Sequence, residues 1–237
     1  MPGSDSSRSL RINKYLAETG ACSRRGADAL ISEGRVTING EVAVLGSVVC
    51  EGDVVELDGK AVLPKDEAIY LAFYKPLGVT CTTDRRDPSN IIDYINYPER
   101  IFPIGRLDKN SSGLILLTNN GDIVNSLLRA ENNHEKEYIV SVDKPIGPEF
   151  KAQMEGGLPI LGQTTLPCEV EQLGSRRFRI VLHQGLNRQI RRMCEYLGYR
   201  VVKLRRVRFM NIELGGMKPG EIRELTAAEV RGLIEDA

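Results

Sequence analysis

The sequence predicts an α+β fold in two unequal parts, on three observations. The first sixty residues hold two short amphipathic helical patterns and then a β-hairpin signal. From Ile69 the pattern turns strand-rich and stays so to the end. The strands there are separated by long insertions and not by regular crossover helices, which disfavours a doubly wound parallel sheet. At 237 residues, 41% hydrophobic and 27% charged, the chain has the mix and the length of one large domain or two unequal ones.

In order along the chain, residues 1–7 read as a disordered tail. A first helix is expected over 10–18, with Leu10, Tyr15 and Leu16 apolar and Gly20 as its stop. Ser23 is the expected N-cap of a second helix over 24–33, closed by Gly34. Val36 and Ile38 then alternate with polar residues into Asn39-Gly40, the strongest short hairpin signal, and Val42 and Val44 return. One more strand over 53–57 ends at Asp58-Gly59. This ααβ module is assigned residues 8–60, a linker 61–68, and the second domain 69–237. In the second domain strands are expected over 70–74, 114–118, 136–142, 166–173, 177–183 and 205–212, and helices over 123–129, 148–156, 186–197 and 227–234.

Composition removes several classes of function. No apolar stretch approaches the roughly 20 residues that span a bilayer, and the N-terminus lacks the apolar core of a signal peptide, so a cytoplasmic protein without membrane association is expected. The five cysteines lie far apart with no C-x-x-C, which suggests neither a disulfide framework nor zinc. Two histidines cannot build a multi-histidine metal site, and no glycine-rich nucleotide motif is present. No metal and no cofactor are expected.

Charge is informative once divided. The chain carries 32 basic and 32 acidic residues, yet a polyanion feels the local field and not the sum. Residues 8–35 hold six Lys/Arg against three acids, and 176–208 hold eleven against Glu195 alone, ten of the eleven being arginine. A solvated face would interleave both signs, so a phosphate-binding surface is the better reading, with nucleic acid as partner. Arg188, Arg192, Arg205 and Arg206 are its candidates in the second domain. In the first, Arg11 and Lys14 share a helix face, Arg24 and Arg25 open a helix whose N-terminus favours anions, and Arg35 and Asn39 flank the hairpin.

The segment RINKYLAETGACSRRGADALISEGRVTINGE resembles an S4 RNA-binding domain. YKPLGVTCTT, PIGRLDKNSSGLILLTNNGD, HEKEYIVSV and LHQGLNRQIRRMCEYLGYRVVKLRRVRF resemble, in order, the motifs of pseudouridine synthases of the RsuA/RluB/RluF group. The resemblance runs from Arg8 over nearly the whole chain. It implies a catalytic domain with a large, mainly antiparallel sheet flanked by helices. It also implies isomerisation of uridine to pseudouridine: the C1′–N1 bond is cleaved, the uracil turns, and it rejoins through C5. No atoms are gained or lost, and no cofactor is required.

By the resemblance Asp108, in GRLD, is the catalytic aspartate, which either attacks the nucleoside or abstracts a ribose proton. Both routes need a carboxylate beside an extruded base. Arg191 matches the arginine that pairs with it; a guanidinium stays charged when partly buried and can engage both carboxylate oxygens. Without the motif, an Asp in such a turn would be an ordinary turn residue. Tyr138 matches the tyrosine that lies against the uracil, Arg106 the arginine that fills the space left by the flipped nucleotide, and Leu204 the apolar residue on the other side of the base. Lys75 and Pro76 read as structural support. The expected substrate is 23S rRNA, with small-subunit rRNA or the tRNA for tyrosine as alternatives, and the expected state is a monomer. A non-catalytic ribosome-assembly factor is the rival from another class, and retention of Asp108, Tyr138 and Arg191 together argues against it.

Overall fold

The computed structural model describes residues 9–64, 67–128 and 134–235. The expected tail 1–7, Arg129 of one expected helix and part of the expected linker lie outside the described residues. The chain divides into two compact units, one of residues up to 68 with Pro98–Arg100 and the other of Ile69–Tyr97 and the rest.

In the first unit β1 (Leu10–Arg11) precedes α1 (Ile12–Glu18), so the helix begins two residues later than its apolar pattern suggested. Leu10 and Arg11 pair instead with β4 (Val48–Val49). In α2 (Arg24–Ser32) the Ser23 hydroxyl accepts from the Gly26 N–H, an N-cap worth about 1 kcal/mol. β2 (Val36–Ile38) turns through Asn39 and Gly40, both at positive φ, into β3 (Glu41–Val42), the geometry of a type I′ hairpin. β5 (Val55–Leu57) repeats the device at Asp58 and Gly59, and β6 (Lys60–Ala61) pairs back on it. The hairpin thus extends beyond the residue 60 at which the module was expected to end: Val62 donates to Val55 O and accepts from the Tyr15 hydroxyl. Ile12, Leu16, Ala27, Ile31, Val36 and Val55 make the unit's core.

The second unit is built on a nine-stranded sheet. β7 (Tyr70–Lys75), β8 (Phe102–Ile104), β9 (Ser112–Thr118), β10 (Lys136–Val142), β13 (Glu169–Gly174), β14 (Arg177–Leu182), β15 (Val201–Phe209), β16 (Ile212–Glu213) and β17 (Ile222–Glu224) run in the order β13-β14-β10-β15-β9-β7-β17, with β16 on β15 and β8 on β9. Every pairing but one is antiparallel, as expected of the large sheet. β15 and β9 meet in parallel, through Arg205↔Ser112 and Arg206↔Gly113. A side chain on Gly113 would collide with the Arg206 backbone, and its φ of 108° suits only glycine. The expected strand over 205–212 is really two, because the chain reverses at Met210, φ 51°, and Asn211. A separate small hairpin joins β11 (Pro159–Ile160) to β12 (Gln163–Thr164).

Helices cover the sheet. α5 (Phe150–Glu155) and α6 (Gln189–Tyr196) pack Phe150, Met154, Ile190 and Met193 against Val140, Phe178 and Ile180. α4 (Gly121–Leu128) and α7 (Ala227–Glu235) bring Ile123, Leu127 and Leu233 onto Ala72, Leu114 and Leu116. The other face of β7 and β9, with Leu71, Phe73, Ile115 and Leu117, lies under α3 (Ile91–Ile95), a short helix whose Asn90 cap the sequence pattern did not reveal. Buried on both faces, β7 and β9 read as continuous apolar runs, and their position in mid-sheet fixes the loop between β8 and β9. No described helix is long and apolar enough to cross a membrane.

Candidate active site

Asp108 stands on that loop, where Ser111 N–H donates to its carbonyl and β9 begins four residues later. The loop borders a cavity of about 660 Å³ in the second unit. Arg106, Tyr138, Arg188, Arg191 and Leu204 line the same cavity. Residues far apart in the chain therefore converge on one carboxylate.

Two guanidinium groups from α6 and its entry meet Asp108. Arg188 Nη1 donates to Oδ2 at 3.3 Å, and Arg191 Nε lies 3.7 Å from the same oxygen. Both cations thus face Oδ2, where one arginine bridging both oxygens was anticipated. The two differ in how they are held. Arg191 Nη2 donates to Asn110 O at 2.7 Å and to Ser111 Oγ at 3.1 Å, and its side chain is 15% exposed, against 46% for Arg188. Its Nε is buried without a hydrogen bond and is aimed at the carboxylate. Burial, followed by the nearby Arg188, pushes the Arg191 guanidinium below its ordinary range, while Asp108 pulls it back. Arg188 holds its place with φ 53°, a left-handed backbone that costs a non-glycine residue about 1 kcal/mol.

The cavity wall comes from the sheet. Tyr138 faces Arg206 across the β10–β15 ladder, and Val140 faces Leu204. Leu204 is buried, part of the core as well as of the wall. Arg106 is exposed at the rim. Lys75 is fully buried behind the loop, its ammonium donating to Pro76 O and Val79 O, so it ties the turn after β7.

Several residues expected to face RNA are engaged within the protein or lie off the cavity. Arg206 is 3% exposed and donates from Nε to Leu114 O at 2.7 Å, which makes it part of the cavity floor and the brace of the parallel junction. Arg205, between the cavity-lining Leu204 and Arg206, projects from the opposite face of the sheet. Arg192 braces the turn before α6 through Asn187. Arg35 forms a two-point pair with Asp58 at 2.9 and 2.7 Å, backed by Glu33, and Asn39 holds Asp53 and the Val54 N–H. Lys14 lies 3.7 Å from Glu18. Arg11, Arg24 and Arg25 are exposed, the latter two at the start of α2. The run 176–208 is also less positive than its count suggests, since Arg179 and Arg208 pair with Glu137 and Arg200 with Asp143.

Lys136, inside the HEKEYIVSV segment but given no role there, is a further residue of the cavity. It lines the cavity, and burial followed by the neighbouring Arg206 lowers its ammonium to about 8. Its signal was the strand period: Lys136 is two residues before Tyr138 and so shares its face.

The RNA pseudouridylate synthase family model matches residues 69–196, and the S4 domain model matches 10–55. The chain belongs to this family of RNA-modifying isomerases and carries an S4 domain at its N-terminus. Within the family it is of the RluF type. It is 53% identical over 229 residues to the dual-specificity RNA pseudouridine synthase RluF of Salmonella typhi and 51% identical to that of Escherichia coli K12, in each case over 96% of this chain and 79% of the relative. The ribosomal large subunit pseudouridine synthase B of Bacillus subtilis is 38% identical, over 94% of this chain and 95% of its own. A crystal structure of a pseudouridylate synthase superimposes with a TM-score of 0.70 at 30% identity, over 94% of this chain and 99% of the other.

Proposed function

We propose that the cavity around Asp108 is where the isomerisation takes place, and that its principal target is a uridine of 23S rRNA. The meeting of Arg188 and Arg191 on one oxygen of a carboxylate that is 34% exposed to the cavity carries this reading. Asp108 acts on the ribose of an extruded nucleotide. Arg191, anchored on the loop that bears Asp108, orients the carboxylate and opposes its charge, while the more exposed Arg188 is positioned for an RNA phosphate as well. Tyr138 lies against the uracil and Leu204 closes its other side. Arg106 at the rim occupies the gap the nucleotide leaves in the RNA.

The name of the RluF relatives, dual-specificity synthase, supports a second RNA target, for which we take the tRNA for tyrosine. The S4 domain, through Arg11, Arg24 and Arg25, raises the local RNA concentration at the cavity by binding phosphates and duplex shape. A first domain that runs from residue 8 through Val62, a second of residues 69–237, a monomeric state and a cytoplasmic location complete the proposal.

The test is Asp108→Asn, which keeps the shape and removes the charge. Pseudouridine formation, read by carbodiimide primer extension, is expected to disappear while RNA binding persists; full turnover by this variant would refute the assignment. Mapping pseudouridines in total RNA from cells with and without the gene identifies the targets. Unchanged 23S rRNA would overturn that part.

A further inference from the structure

We propose that Lys136 is a further catalytic residue of this site, whose ammonium donates to a carbonyl oxygen of the target uracil and stabilises the negative charge the base acquires on leaving the ribose. The inference rests on the reading of the cavity around Asp108 given above.

Lys136 and Tyr138 are alternate residues of β10, so both project into the cavity, and Leu182 and Phe209 are the cross-strand neighbours of Lys136. A base packed on Tyr138 has Lys136 at its edge. The ammonium is held in place: one N–H donates to His134 O at 3.0 Å, and the group lies 5.6 Å from the centre of the Phe209 ring. Among the described residues no other acceptor takes its remaining protons.

Charge points the same way. The acids beside Lys136 in sequence, Glu135 and Glu137, pair with Arg208 and Arg179. No described carboxylate forms an ion pair with Lys136. The titratable and charged groups that line the cavity with it are Arg206 from β15, Tyr138 on β10, His183 after β14, Arg106, Asp108 and Lys109 from the loop before β9, Cys81 from the segment after β7, and Arg188 and Arg191 at α6. A half-buried ammonium next to a buried guanidinium is unfavourable until a negative charge arrives, and burial with Arg206 accordingly lowers Lys136 to about 8. The resting site thus lacks the anion that the reaction creates.

The chemistry supplies that anion. When C1′–N1 breaks, the electron pair stays on the base, and its charge spreads over N1 and the two carbonyl oxygens. C5 then bonds to C1′, the C5 proton is lost, and a proton is taken up at N1, so atoms and charge balance. The base leaves as an anion whether Asp108 attacks C1′ or removes a ribose proton. A positioned donor acts mainly on that step.

Loss of the C5 hydrogen gives the readout. RNA from cells lacking the gene, labelled with tritium at uracil C5, releases tritium on conversion by the full-length protein. Under single turnover, Lys136→Met is expected to slow release by about 100-fold while filter-binding affinity for the same RNA stays within about twofold. Lys136→Arg keeps a positive charge and is expected to recover part of the rate. It should also move the alkaline fall in rate, near pH 8 for the unaltered protein, to higher pH. The proposal is overturned if Lys136→Met converts within about threefold of the unaltered rate, or if affinity falls in step with rate, as a phosphate contact would require. An unmoved alkaline limb in Lys136→Arg overturns it too, and decides alone should the methionine variant misfold. Asp108→Asn separates the two readings: turnover by it sinks the site assignment, whereas an inert Asp108→Asn beside a normal Lys136→Met sinks only the role of Lys136.

Discussion

Asp108 owes its surroundings to residues eighty and more positions away. Two arginines reach it, and their different anchoring sets their different worth. Arg191 is fixed by Asn110 O and Ser111 Oγ on the loop that carries the aspartate, whereas Arg188 is half exposed and screened by solvent. Removing Arg191 leaves the loop carbonyl and hydroxyl without their donor and the carboxylate without its fixed partner. Arg191→Ala is therefore expected to lower the single-turnover rate at least about tenfold more than Arg188→Ala, while Arg188→Ala shows mainly as weaker RNA binding. Equal rate losses in the two would contradict this ranking.

At the level of elements, the site depends on how β9 meets β15. Their parallel contact is short and passes through Gly113, where no side chain fits against the Arg206 backbone. Gly113→Ala is expected to cost about 3 kcal/mol or more in urea unfolding, from strained φ and steric overlap together, and to lower activity by displacing the Asp108 loop. α7 offers a separate test. Thr226 and Glu229 form a capping box, Thr226 N–H to Glu229 Oε2 at 2.8 Å and Glu229 N–H to Thr226 Oγ at 3.2 Å, and Arg223 clamps both Glu229 oxygens. Arg223 first, helped by the Thr226 N–H, holds the Glu229 carboxyl down to about 2, against a burial that raises it. Its folded value lies below its unfolded one, so the stabilisation is present above about pH 4.5 and is lost as pH falls toward 2. The Tm gap between the native protein and Glu229→Gln is expected to be largest near neutrality and to close across that window; a constant gap would rule out the linkage.

For the whole molecule, zero net charge conceals a division of labour. In the first unit Arg35 is engaged by Asp58, while Arg24 and Arg25 at the start of α2 are exposed, as is Arg11. Replacing Arg24 and Arg25 together by Ala is expected to reduce the slope of log affinity against log salt by about 2, one unit for each phosphate no longer neutralised, with little effect on the single-turnover rate at saturating protein. An unchanged slope would place the RNA-binding face of this unit elsewhere. Surface exchanges of this kind move stability by little, so the readout is electrostatic.

Local physics wrote much of this protein into its sequence. Ser23 caps a helix, Asn39-Gly40 and Asp58-Gly59 turn hairpins, and the apolar run Leu114–Leu117 is a strand buried on both faces, because capping, positive φ and period are properties of neighbours in the chain. The motif around Asp108 and its partner Arg191 were legible for a different reason, the family resemblance. Tertiary structure decided what depended on distant residues. It assigned the dense arginines of 176–208 to separate tasks, with Arg206 as buried brace, Arg179 and Arg208 as partners of Glu137 and Arg188 beside Asp108, because the side of a strand and the nearest acid are fixed only once strands pair. It started α1 late by drawing Leu10 and Arg11 into a strand with Val48 and Val49. It also placed Lys136 in a cavity with no described acid to pair it. Burial and an adjoining cation then altered an ordinary lysine, an effect that one-dimensional charge counting cannot carry.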